Sequence, residues 1–193
     1  MVQRVLIPPV SISDDFNRAA LGSMWDVKQD SGGHGIISSV RYGNTNTTDG
    51  RKYIVHTTRM NTDNMFVEYT QAAASNARRL GAMLCVAEDY SSWLALLTNS
   101  TNMIVVRGAG TPGWEDANVT ILNTIPGSVA NGAKVGLRIT NGVVQAYYNG
   151  LTSGSSFTYT GPTGPNYRRV GVQCSRGSFV SSPPLDDFTA GDI

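Results

Sequence analysis

Carboxylates and imidazoles are the side chains that acid–base chemistry needs, and in this chain they are sparse and scattered. The glutamates are Glu68, Glu88 and Glu115, and the histidines are His34 and His56. Glycoside hydrolysis needs two carboxyl groups across the scissile bond, one to protonate the leaving oxygen and one to attack or to activate water. The three glutamates are too far apart in sequence to share one strand face. Glu88-Asp89 follows an apolar run and reads as the solvated edge of a turn. His34 sits in a Gly-Gly-His-Gly loop, His56 lies within Tyr53-Ile54-Val55-His56-Thr57, and there is no Gly-x-Ser-x-Gly elbow for a nucleophilic serine. Zinc would want several Cys and His at short spacing, which Cys85 and Cys174 do not supply. Gly108-Ala109-Gly110 opens no helix and reads as a turn. No catalytic residue and no cofactor is expected.

Binding is the chemistry that remains. Sugars are held by aromatic faces stacked on their C–H surfaces and by planar polar side chains that satisfy their hydroxyls. Trp114 stands in a glycine-rich loop, residues 108–118, beside Glu115 and Asp116, and is the best candidate platform. Tyr90, Tyr147 or Tyr148, and Tyr167 either line a sheet face or belong to the core and its edges. Trp25 and Trp93 are expected in the core.

The elements that must carry these residues read as strands. The chain has 193 residues, 40% hydrophobic and only 15% charged, with 21 glycines. Such a composition, rich in Ser, Thr and Asn, suits strands with polar outer faces joined by tight turns. Strand patterns run over 53–58, 64–71, 82–87, 93–98, 103–107, 119–122, 135–140, 143–148 and 167–174, the rhythm of a sandwich. Asn141-Gly142 between two of them predicts a β-hairpin, because both residues tolerate positive φ. Trp93 to Leu97 is apolar at nearly every position, as in a strand covered on both faces. The stretches 31–49 and 108–118 read as long irregular loops, and 72–80 is the best, though poor, helical candidate. A net charge of +1 gives no footprint for nucleic acid. No apolar run is long enough to span a bilayer, and Met1 to Pro9 is too short to read as a secretory leader. Cys85 and Cys174 each sit in an apolar stretch and read as buried free thiols rather than a bridge.

The two ends share a motif. Asp14-Asp15-Phe16 is matched by Asp186-Asp187-Phe188, which predicts adjacent terminal strands, each with one Phe inward and its acidic pair at the edge. A carboxylate cluster for Ca²⁺ is another reading of the same residues. Residues 1–12 form an apolar, proline-containing arm outside the sandwich of residues 13–193, and such an arm is expected to dock on a partner subunit.

Asp14-Asp15-Phe16-Asn17-Arg18-Ala19, with Leu21-Gly22 and Trp25, resembles the opening of concanavalin A-like lectin/glucanase (laminin-G-like) jelly rolls found in bacteriophage tail proteins and bacterial surface proteins. Leu185-Asp186-Asp187-Phe188-Thr189-Ala190-Gly191 resembles their closing strand, and Val67-Glu68-Tyr69, Ala82 to Val86 and Val135 to Asn149 fall between in the expected order. The resemblance covers about residues 14 to 191 and implies an all-β fold, two antiparallel sheets packed as a jelly roll with first and last strands adjacent. Glycosidases of this fold carry a Glu-x-Asp-x-Glu strand, which this chain lacks. The implied role is a non-enzymatic virion protein of a phage tail. It would contact a host-envelope glycan or fix neighbouring tail proteins through its arm, as a homo-oligomer such as a trimer. A purely structural virion subunit and, more distantly, a glycoside hydrolase are the alternatives.

Overall fold

The computed structural model describes residues 8–29, 33–38, 40–45, 47–110 and 118–193. Trp114, Glu115 and Asp116 and the first seven residues of the arm lie outside them. Among the described residues there are sixteen strands. The first eight are β1 (Ser11–Asp14), β2 (Trp25–Gln29), β3 (His34–Ile37), β4 (Arg41–Asn44), β5 (Gly50–His56), β6 (Met65–Gln71), β7 (Leu80–Val86) and β8 (Ser92–Thr98). They continue as β9 (Asn102–Ala109), β10 (Val119–Pro126), β11 (Lys134–Thr140), β12 (Val143–Tyr148), β13 (Leu151–Thr158), β14 (Arg169–Gly177), β15 (Val180–Ser181) and β16 (Leu185–Asp192).

They form two antiparallel sheets. Sheet A runs β13-β12-β11-β6-β16-β4-β3, with β1 also on β16; sheet B runs β10-β9-β8-β7-β14-β5-β2, with β15 on β14. Strand β6 shows why the sheets pack. Met65, Val67, Tyr69 and Gln71 are buried while Phe66, Glu68 and Thr70 alternate outward, the period-two pattern of a sheet with one face on the core. Sheet B is apolar on both sides. Leu94 and Leu96 enter the core between the sheets, whereas Trp93, Ala95 and Leu97 join Tyr53, Met83 and Val106 in a second cluster on the opposite face. The nearly continuous apolar run of β8 has this cause.

The first and last strands pair from Ser11–Gly191 to Asp14–Phe188, and Phe16 and Phe188 are both fully buried. One residue of the acidic pairs departs from the expected edge position. Asp14 is not an edge charge but a buried hub: Oδ1 accepts from the Phe16 amide (2.7 Å) and Arg18 Nη1 (2.6 Å), and Oδ2 accepts from Arg18 Nη2 and Trp25 Nε1 (2.6 Å each). Asp15 and Asp187 are exposed. Among the described residues no three His, Cys, Asp or Glu are grouped to hold a metal ion, so the Ca²⁺ reading of these segments finds no site.

Three further differences have physical reasons. The sandwich begins at Ser11 rather than at residue 13: Ile12 is in the core and Val10 packs against it. Val10 is held to the chain's own last strand, exchanging bonds of 2.8 and 2.9 Å with Asp192, and Pro8 O accepts from Asn61 Nδ2 at 2.7 Å. The stretch 31–49 contains β3 and β4, each only four residues long and so too short to show a period. Leu151–Thr158, a Ser/Gly-rich segment, is an edge strand held by backbone pairing to β12. As the weak helical pattern over 72–80 implies, the segment after β6 is not helical: Ala72 and Ser75 donate to Pro184 and Val129 carbonyls and the chain re-enters strand at Leu80.

The hairpin at Asn141-Gly142 is present, with φ of 50° and 75°. Trp25 and Trp93 are buried, and Cys85 and Cys174 are free, buried thiols. Burial, reinforced by the Asp63 charge, pushes the Cys85 thiol up to about 12, which leaves it protonated and unreactive at neutral pH.

Two stability predictions follow from these contacts. Replacing Asp14 with Asn removes the charge that the Arg18 fork and the Trp25 indole need, and should lower unfolding free energy in urea by about 3 kcal/mol. His34 donates to or accepts from the Tyr42 hydroxyl at 2.8 Å, and burial, with Lys52 nearby, lowers its pKa from 6.5 to about 4. As pH falls, the unfolded chain therefore takes up this proton first. Stability should drop between pH 6.5 and about 4, and less so in His34→Gln, as measured by urea midpoints across that range.

Candidate functional site

The register places the C-terminal ends of β5, β7 and β9 at one end of sheet B, with the N-terminal ends of β8, β10 and β14. The loops of this rim are tied to one another by backbone bonds. Glu88 N donates to Asn166 O (3.0 Å), Met60 N to Arg168 O (2.8 Å) and Gly110 N to Ser91 O (2.8 Å). Gly110 and Asn118 flank the Trp114 segment, and Ala109 N donates to Asn118 O at 2.9 Å. The base of that loop thus stands against the β7–β8 turn.

A cleft of about 280 Å³ opens here, lined by Ala87, Glu88, Asp89, Asn166 and Tyr167. Each wall is built by a local rule. Asp89 Oδ1 accepts from the amide and hydroxyl of Ser91 (3.0 and 2.6 Å), an Asx turn that lets the chain reverse between β7 and β8. The hydroxyl and then the amide of Ser91 hold the Asp89 carboxyl below its ordinary range, so it is ionised at neutral pH. Pro165 starts a 3₁₀ turn, Pro165–Tyr167, whose Tyr167 amide donates to Gly164 O at 2.9 Å. That turn leaves Asn166 exposed and sets the half-buried Tyr167 ring against the core. Glu88 Oε2 pairs with Arg59 at 2.6 Å, while Oε1 is buried without a hydrogen-bond partner. An aromatic ring, an amide and two carboxylates therefore converge on a space about the size of one or two saccharide units.

Of the expected site residues, the fold brings Tyr167 to this cleft and removes Tyr90 from it. Tyr90 is 8% exposed at a positive φ of 62°, and its hydroxyl donates to Asp26 (3.2 Å) and accepts from Arg169 Nη1 (2.8 Å). Arg169 also pairs with Asp26, and Lys28 Nζ lies 4.6 Å from the Tyr90 ring centre. Tyr90 is thus a structural clamp between β2 and β14 and not an exposed platform. Trp114, Glu115 and Asp116 lie outside the described residues, though their flanking residues reach the same rim. Asn166 was missed by pattern reading. The Gly164-Pro165 pair before it, a turn signal ahead of a strand, is the feature that could have found it. Glu88 and Asp89 were read as a solvated edge, and Asp89 is exposed; their convergence on Tyr167 is set by the tertiary fold.

Two other surfaces compete. A cleft of about 410 Å³ lies at Asp14, Asp15, Arg18, Met24 and Asp187. Its chemistry is internal: Asp14 is committed to Arg18 and Trp25, and Asp15 accepts from the amide and side chain of Asn17. On the outer face of sheet A, the Arg138 guanidinium stacks 4.5 Å from the Tyr147 ring centre and 5.9 Å from that of Phe66. Tyr147 is half-buried there, and Tyr148 packs on the core.

No family model matches the chain, and no curated protein does. Solved structures do. The carbohydrate recognition domain of Emp47p is similar at TM-score 0.62 and 8% identity, covering 94% of each chain. The carbohydrate-binding module CBM66 from Bacillus subtilis is similar at TM-score 0.55 and 7% identity, covering 88% of this chain and 95% of the module. The apo Crh5 transglycosylase is similar at 0.59 and 13% identity, covering 97% and 88%. At these identities the likeness shows the fold: a lectin-like, concanavalin A-like jelly roll.

The clamp assignment is testable. Tyr90→Phe deletes a hydroxyl that serves Asp26 and Arg169, and should lower stability by about 1–2 kcal/mol in urea while leaving the Asn166–Tyr167 amide resonances in place.

Proposed function

We propose that this chain is a non-catalytic carbohydrate-binding domain whose glycan sits in the cleft of Glu88, Asp89, Asn166 and Tyr167. The observation that carries it is that convergence: a ring for the C–H face of a sugar beside an amide and an ionised carboxylate for its hydroxyls. Carbohydrate-binding neighbours on the same fold support it. Hydrolysis is disfavoured because Asp89 is held ionised by Ser91, whereas a general acid needs a raised pKa.

The finer reading is attachment. The resemblance of both ends of the chain to phage tail jelly rolls supports a virion-surface protein that meets a host-envelope glycan, anchored by its N-terminal arm and repeated by oligomerisation. A purely structural role has one observation of its own. Phe179 is 93% exposed at the tip of the β14–β15 hairpin, at a positive φ of 68°, and an exposed ring at a strained turn suits a protein contact.

The test is a glycan array and a whole-cell binding assay with the intact protein, Tyr167→Ala and Asp89→Ala. Both variants should lose at least about tenfold in affinity, as a truncated anchor in a sugar site does, with unchanged circular dichroism. Binding that survives both would overturn the assignment, and no binding to any glycan or cell would favour the structural subunit.

A further inference from the structure

A second, smaller pocket lies between the sheets where β9, β10 and β13 meet. It measures about 70 Å³ and is lined by Arg107, Leu122, Phe157, Tyr159 and Gly161, with Thr158 and Thr160 exposed beside it. Arg107 follows Met103 and Val105 on the core-facing side of β9. Among the described residues the side chain of this half-buried arginine has no ion pair and no hydrogen-bond partner. The Tyr159 hydroxyl is likewise buried without a partner, on a residue only 7% exposed. The ring folds over Gly161, where even a methyl group would meet the ring carbon and the hydroxyl at 2.3 Å, so only glycine leaves room for it there. The two groups sense each other: burial raises the phenol and the Arg107 charge opposes that rise.

The buried Tyr159 hydroxyl is costly without a partner, and one anionic acceptor in the pocket would satisfy it and pair with the Arg107 guanidinium. A guanidinium fork matches a planar carboxylate. The volume is enough to hold such a group. Leu122 and Phe157 supply apolar flanks, and Thr158 and Thr160 place hydroxyls on the lip.

We propose that this pocket binds the carboxylate of an acidic monosaccharide unit, a uronic acid, with Arg107 and Tyr159 as its partners. The sugar as bearer of the carboxylate rests on the glycan reading above; recognition of the carboxylate does not. The test is a titration followed by amide chemical shifts, with galacturonate, galactose and acetate, on the intact protein, Arg107→Gln, Tyr159→Phe and Tyr167→Ala. Galacturonate should bind at least about tenfold more tightly than galactose. Arg107→Gln and Tyr159→Phe should each remove that preference, and Tyr167→Ala should leave it in place. Tyr159→Phe keeps the ring and so guards against loss of fold. Equal affinities for galacturonate and galactose, or a preference that survives both variants, would overturn the proposal. Galacturonate no tighter than acetate would overturn its sugar component. Loss of galactose binding in Tyr167→Ala reports on the larger cleft, so the two assignments fail separately.

Discussion

The carboxylate of Asp14 joins three pieces of chain that are otherwise free to part: the first strand, the loop through Arg18 and the Trp25 indole that opens sheet B. A buried charge is tolerated only when its oxygens are filled, and here four donors at 2.6–2.7 Å fill them. Burial raises the Asp14 pKa, and the bonds from Arg18, Trp25 and the Phe16 amide outweigh it, so the group stays ionised well into acid. Phe16 and Phe188 can then lie against Trp25, 5.8 and 5.2 Å between ring centres, and seal the core where the two chain ends meet.

That closure decides where function can go. Sheet B is packed on both faces, by the inter-sheet core and by the cluster around Trp93 and Tyr53. The loops at the strand ends are left to present polar groups. The rim carries the Tyr167 cleft, and the inter-sheet mouth beside β10 and β13 carries Arg107 and Tyr159. Asn123 Nδ2 bridges those two edge strands by donating to Ser155 O at 2.8 Å, which fixes the width of that mouth. Both proposed sites stand on loops and strand ends that are tied to the sheets by backbone bonds, which favours preorganised recognition.

The fold was legible because its signals are local. Asn141-Gly142 specifies its turn chemically, the apolar run of β8 announces a strand covered twice, and the repeated Asp-Asp-Phe motif marks neighbouring termini. What stayed hidden depends on pairing partners. Leu151–Thr158 has no apolar alternation, yet it becomes a strand because β12 offers it a backbone edge. Asp14 looked like a solvated charge because its partners stand four and eleven residues away, in a loop and a strand with no pattern linking them. The site was half legible for the same reason. Tyr167 could be singled out as an aromatic at the start of a strand pattern, but its alliance with Glu88 and Asp89 spans nearly eighty residues of chain. Tyr90 stands in the sequence as one of several tyrosines that either line a sheet face or belong to the core; only the fold reveals Arg169 and Asp26 waiting for its hydroxyl.

The most direct test of the account is to map amide shifts across the whole chain while a bound glycan fragment is titrated in. The account predicts perturbations concentrated at residues 87–91 and 164–168, with little change on the outer face of sheet A. Shifts centred instead on Phe66, Arg138 and Tyr147 would contradict it, and would move the binding surface from the rim to the sheet.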